Sequence, residues 1–128
     1  MMGFNRINFT SIPVENQDRA LAFYTEKLQL DLVVDAPYEP DWRWIFLSIG
    51  GSDTRLQFAR KSELSFNGVP ALTLTCDDVD LECERLAAAG VDIVNGPDDA
   101  PWAAESRWAM VKDTEGNLIL IESVKKGA

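Results

Sequence analysis

The side chains best equipped for chemistry in this sequence are flat rings, acids and amides, with no imidazole among them. Trp42 and Trp44 form one pair, Trp102 and Trp108 a second. Indole faces offer offset stacking and cation–π contact, worth ~0.5–2 kcal/mol each. Asp41, Glu105 and Glu122 could add negative charge nearby, and Gln57, Thr73 and Thr75 could add hydrogen bonds. The complete lack of histidine removes Ser–His–acid triads, imidazole acid–base pairs and most transition-metal sites. Carboxylates, amides and two thiols remain as metal donors. Those thiols, Cys76 and Cys83, are not spaced as a CxxC pair and read as reduced packing residues. No Rossmann or P-loop glycine pattern is present.

The balance of 21 acidic against 12 basic residues gives a net charge of −9. That charge repels nucleic acid and anionic membrane surfaces, and it favours either a cationic partner or simple solubility. Apolar runs fall well short of the ~20 residues a membrane span needs. The start, MMGFNRINFT, lacks a secretory pattern. A cytoplasmic protein of one domain over residues 1–128 is expected.

The elements that must position these groups are written twice. After the N-cap Asn16, QDRALAFYTEKLQL spaces Ala20, Phe23, Tyr24 and Leu28 as one helical face. After Asp78, VDLECERLAAAGV repeats the pattern, with Gly90 as its stop. Strand-like runs precede each helix (RINFTSIPV, PALTLTC) and follow it (LDLVVDAP, GVDIVNGP). Then RWIFLSIGGSDTRLQFA and RWAMVKDTEGNLILIE each give a strand, a glycine turn and a second strand. The fold class expected is α+β, with two tandem βαβββ modules at about 4–59 and 69–124, joined by a linker at 60–68.

Strand parity sorts the side chains into two faces. Ile12, Leu56, Phe58, Leu72, Leu74, Ile119 and Ile121 should face the helices. The opposite face carries Phe9, Ser11, Arg55, Gln57, Ala71, Thr73, Thr75, Leu118, Leu120 and Glu122. That mixture is too apolar for open water and too polar for a core, and suits a ligand pocket. Trp44 shares a face with Phe46, and Trp108 with Met110. Both tryptophans also fit plain core or a dimer interface. Trp102, in the turn-rich NGPDDAPWAAES, is expected to cover a ligand or a partner subunit. Arg43, Arg55 and Arg107 read as surface or ion-paired residues, Arg55 having the best parity for an acid group on a ligand.

The duplicated βαβββ unit, with DRALAFYTEKLQL in its first helix and DTEGNLILIES in its last hairpin, resembles the vicinal oxygen chelate superfamily. That group includes glyoxalase I, extradiol dioxygenases, fosfomycin-modifying transferases and bleomycin-resistance proteins, and the resemblance spans residues 4 to about 124. It implies curved mixed sheets (half-barrels) enclosing a pocket, commonly in a homodimer. It also implies metal-ligand positions, which here fall on Phe9, Gln57, Ala71 and Leu120. Three of these lack a donor atom, and one amide does not retain a divalent ion. No metal and no cofactor are expected, and catalysis is left open.

The Pro-Trp pair at 101–102, before the final hairpin, is similar to the metal-free bleomycin-resistance branch. The reading that follows is a metal-free protein binding an apolar or aromatic small molecule of cationic character. Its site would comprise Phe9, Trp44, Phe46, Arg55, Gln57, Thr73, Trp102, Trp108, Leu120 and Glu122. The alternative is a glyoxalase-like lyase or dioxygenase with an atypical divalent-metal site built from Gln57, Glu105 and Glu122.

Overall fold

Each helix begins where a short acid or amide side chain caps it. In the computed structural model, which describes residues 3–123, the Asn16 Oδ1 accepts the Arg19 N–H at 3.0 Å, and the Asp78 Oδ1 accepts the Leu81 N–H at 3.1 Å. The first helix, α1 (Gln17–Ala22), does not continue as the expected single α-helix. It widens into a π-helical turn over Phe23–Lys27, with the Leu28 N–H bonded to the Phe23 C=O at 3.2 Å. The wider turn lets two consecutive rings face inward, leaving Phe23 6% and Tyr24 0% exposed. The second helix, α2 (Val79–Ala88), stays regular and stops at Gly90, whose φ of 87° is a left-handed value that suits glycine.

The chain divides into two compact units, Met1–Ser65 and Phe66–Ala128. The first contains β1 (Phe9–Val14), β2 (Asp31–Glu39), β3 (Trp42–Ser48) and β4 (Arg55–Arg60) in the sheet order β1-β4-β3-β2. The second contains β5 (Leu72–Cys76), β6 (Asp92–Asp99), β7 (Arg107–Lys112) and β8 (Leu118–Ser123) in the matching order β5-β8-β7-β6. In each sheet one pair, β1–β4 or β5–β8, is parallel, and the other pairs are antiparallel. The architecture is two tandem βαβββ modules with open mixed sheets.

The duplication holds at single-residue register. Gln57 lies between Ser11 and Phe46, as Leu120 lies between Thr73 and Met110. Alternation then fixes the cores. Ile12, Ile45, Leu47, Leu56 and Phe58 are buried in the first unit, which also buries Ala20 and Tyr24. Ala109, Val111, Ile119 and Ile121 are buried in the second, which also buries Val79, Cys83 and Leu86. Each fully buried large side chain contributes about 1.5–3 kcal/mol. Ladder pairing of β1 starts at Phe9 rather than at Arg6, where the strand-like pattern begins.

One glycine in β6 is fixed by space. A Cβ at Gly96 (φ 76°) would lie 2.8 Å from the Trp108 carbonyl oxygen, where the strand bulges against β7.

Candidate functional site

The sheet face of the first unit that points away from the core carries a run of rings. Phe9 meets Phe46 edge-on, with centroids 5.4 Å apart. Phe46 stacks near Trp44 at 6.0 Å, and Trp44 meets Tyr38 edge-on at 5.0 Å. Trp44 is 47% exposed and Phe9 38%, so the strip presents ring surface to its surroundings. Gln57 sits beside it in register with Phe46, and its Nε2 donates to Ser11 Oγ at 2.8 Å. That bond leaves the hydroxyl proton of Ser11 and the Oε1 of Gln57 available to a ligand. Arg55, exposed at the start of β4, pairs in register with Phe9.

The second unit repeats the arrangement with different chemistry. Trp108 stands opposite Glu122 across β7–β8, and Thr75 lies opposite Glu122 on the other side. Trp102, 54% exposed in the loop before β7, tilts toward Trp108 at 6.2 Å. Leu120 lies between Met110 and Thr73. An acid next to an indole favours a cation.

The expected site residues thus gather as two sets. Phe9, Trp44, Phe46, Arg55 and Gln57 lie together in the first unit. Thr73, Trp102, Trp108, Leu120 and Glu122 lie together in the second. Ala71 precedes β5 and is buried, its N–H donating to the Leu118 carbonyl at 2.9 Å.

Both Arg-Trp dipeptides have an architectural arginine. Arg43 pairs with Asp18 of α1 at 2.9 Å and with Asp35 of β2 at 2.9 Å. Arg107 pairs with Asp80 of α2 at 2.8 Å and with Asp99 of β6 at 3.0 Å. The hydrogen bond to Asp35 in one case, and to Asp80 in the other, holds each guanidinium above its ordinary pKa. Each arginine ties a helix start to an edge strand.

Asp41, expected to add negative charge nearby, is held in an ion pair. Arg60 takes it at 3.3 Å and Glu39 at 2.8 Å, while its guanidinium lies 4.7 Å over the Trp42 ring. The hydrogen bond from Arg60 lowers the Asp41 carboxyl below its usual 3.8. Tyr38, Glu39 and Arg60 join these residues beyond the ones expected from the sequence. Tyr38 lies within the register shift between Pro37 and Glu39, which breaks the two-residue alternation from which its face could have been read.

The metal-ligand positions carry a phenyl ring, an amide, a methyl and an isobutyl group at Phe9, Gln57, Ala71 and Leu120. The one donor side chain among them is Gln57, and a single amide oxygen does not retain a divalent ion. Among the described residues, no three Cys, Asp or Glu side chains gather closely enough to share a metal ion.

The family model for the glyoxalase/bleomycin resistance protein/dioxygenase superfamily matches residues 6–121. YurT of Bacillus subtilis (strain 168) is 33% identical over 127 residues, covering 91% of this chain and 97% of that protein. The crystal structure of TnmS3, an antibiotic binding protein from Streptomyces sp. CB03234, superposes with a TM-score of 0.84 at 32% identity, covering 98% of this chain and all of that one. A glyoxalase/bleomycin resistance protein from the same Streptomyces follows at 34% identity and a TM-score of 0.74, covering 91% and 98% of the two chains. The chain belongs to the glyoxalase/bleomycin resistance protein/dioxygenase superfamily.

Proposed function

We propose that, within this superfamily, the chain is a small-molecule-binding protein that holds a flat aromatic compound of cationic character without a metal ion. The observation that carries the reading is the lack of donor atoms where a metal would need them, on faces that carry aromatic rings. Phe9 and Leu120 stand on the ligand faces where metal donors would be needed, and Phe9 forms one end of the aromatic strip. A divalent ion requires several oxygen or nitrogen ligands in fixed geometry, and this donor set does not fit one. Stacking surfaces need only ring area, which Trp44, Phe46, Trp102 and Trp108 supply.

Glu122 beside Trp108 and the overall charge of −9 bias the site toward cations. The antibiotic-binding relative supports binding rather than turnover as the role. A homodimer in the cytoplasm is the form in which we place this activity. Phe9, Trp44, Phe46 and Gln57, with Arg55 at the margin, form the proposed binding face of the first unit, and Thr73, Trp102, Trp108, Leu120 and Glu122 form that of the second.

Titration with proflavine, a planar aromatic cation, tests the reading through tryptophan quenching and calorimetry. Saturable binding that is unchanged by excess EDTA is the expected result. Binding or turnover of a glyoxalase-type substrate that requires near-stoichiometric metal would replace this reading with the lyase or dioxygenase alternative.

A further inference from the structure

The two modules differ where their last strands meet. Strands β7 and β8 stay paired for their full length, from Lys112 opposite Leu118 to Arg107 opposite Ser123. Strands β3 and β4 pair only at Phe46–Gln57 and Leu47–Leu56. By the shared register, Trp44 and Ala59 stand where Trp108 and Glu122 pair, and Arg43 and Arg60 where Arg107 and Ser123 pair. In the second unit the Arg107 N–H donates to Ser123 Oγ at 3.1 Å. In the first, the Gln17 side chain takes the neighbouring strand's place. Its Oε1 accepts the Arg43 N–H at 2.9 Å, and its Nε2 donates to the Arg43 C=O at 2.8 Å.

With its backbone satisfied by Gln17, β3 can part from β4 without leaving Arg43's polar groups unpaired. A cavity of about 280 Å³ opens there, with Tyr38, Trp42, Trp44, Gln57, Arg60 and Glu63 among its lining. The Arg60 guanidinium lies over Trp42 at 4.7 Å, with Glu39 at 2.8 Å, Asp41 at 3.3 Å and Glu63 at 3.5 Å. Three carboxylates therefore surround one guanidinium. Arg43, which also lines the cavity, is engaged by Asp18 and Asp35.

We propose that the opening between β3 and β4 is a subsite for the flat cationic group of a small-molecule ligand, an amidinium, guanidinium or protonated heteroaromatic. Arg60 is its built-in occupant, which the ligand group displaces from the face of Trp42. The guanidinium marks the geometry the subsite accepts: a planar cation with an indole beneath it and carboxylates at its edge. The excess of acids over Arg60 lets a second cation enter without stranding a like charge. The inference deepens the proposed binding function and rests on it.

The probe is benzamidinium, with neutral benzamide as its isosteric control, added to 15N-labelled protein in which the four tryptophan indole N–H signals are assigned. Benzamidinium is expected to shift the Trp42 and Trp44 signals, and benzamide to leave them in place. Arg60→Met, which keeps the bulk and removes the competitor, should tighten benzamidinium by about fivefold or more and leave benzamide unchanged. Arg60→Lys should tighten it by about twofold or more, because an ammonium keeps the ion pairs but leaves the ring face free. The lysine variant decides the matter should Arg60→Met not fold.

Shifts confined to Trp102 and Trp108, or equal affinity in the wild type and the Arg60 variants, would overturn the subsite. If proflavine still binds the wild type in that case, the general binding function stands without it. Failure of both probes removes both.

Discussion

Truncating Gln17 to alanine isolates the device that lets β3 stand away from β4. Gln17 is 8% exposed and makes two hydrogen bonds to one residue, at 2.9 and 2.8 Å, to the N–H and C=O of Arg43. A typical intramolecular hydrogen bond contributes about 1 kcal/mol net, and a buried group left unsatisfied costs about 1–3 kcal/mol. Both Arg43 groups are partly buried, so water entering the vacated space recovers some of this. Alanine is also the better helix former by a few tenths of a kcal/mol. The sum is a loss of about 2–3 kcal/mol, which for a chain of this size lowers Tm by roughly 6–12 °C. Urea titration followed by circular dichroism measures it, and hydrogen exchange should show the Arg43 amide losing protection before its neighbours in β3. Gln17→Glu keeps an acceptor for the N–H but sets a carboxylate against the carbonyl, so it should not restore stability. A loss below about 0.5 kcal/mol for Gln17→Ala, with Arg43 protection unchanged, would refute the reasoning.

Trp102→Ala should weaken proflavine binding by about two- to tenfold while moving stability by less than ~1 kcal/mol, because the ring is half exposed in a loop and touches Trp108 from outside. Asp41 should titrate below 3.8 by carboxyl NMR and return toward that value in Arg60→Met. The sign follows from linkage: the Arg60-bound carboxylate supports the fold above its unfolded pKa, and that support is lost as pH falls through the lowered folded value. Cys76 and Cys83 should resist iodoacetamide near neutral pH until the chain unfolds, since burial pushes both thiols above 9.0.

What the sequence revealed was local or periodic. The capped helix starts at Asn16 and Asp78 and the glycine stop at Gly90 rest on short-range chemistry, and the structure places them as read. The duplicated register needed only a two-residue period and one turn longer by a residue, so Gln57 and Leu120 could be matched directly. The π-helical turn at Phe23–Lys27 was hidden because two adjacent aromatic residues also fit an ordinary amphipathic helix. The roles of Gln17, Arg43, Arg60 and Arg107 depend on partners far along the chain, such as Gln17 with Arg43 or Arg107 with Asp80. The pairing of Asp41 was hidden for the same reason: its partner Arg60 lies beyond the hairpin turn. Residue type showed that Phe9 and Leu120 cannot donate to a metal, but only the fold showed Phe9 edge-on to Phe46.

The most direct test of the account is proflavine binding to freshly purified, chelator-free protein, with bound metal determined on the same sample and the titration repeated in excess EDTA. Substoichiometric metal and one saturable isotherm, identical in both titrations and accompanied by tryptophan quenching, are the expected result. About one bound zinc, nickel or iron per chain, with proflavine binding abolished by EDTA, would contradict it.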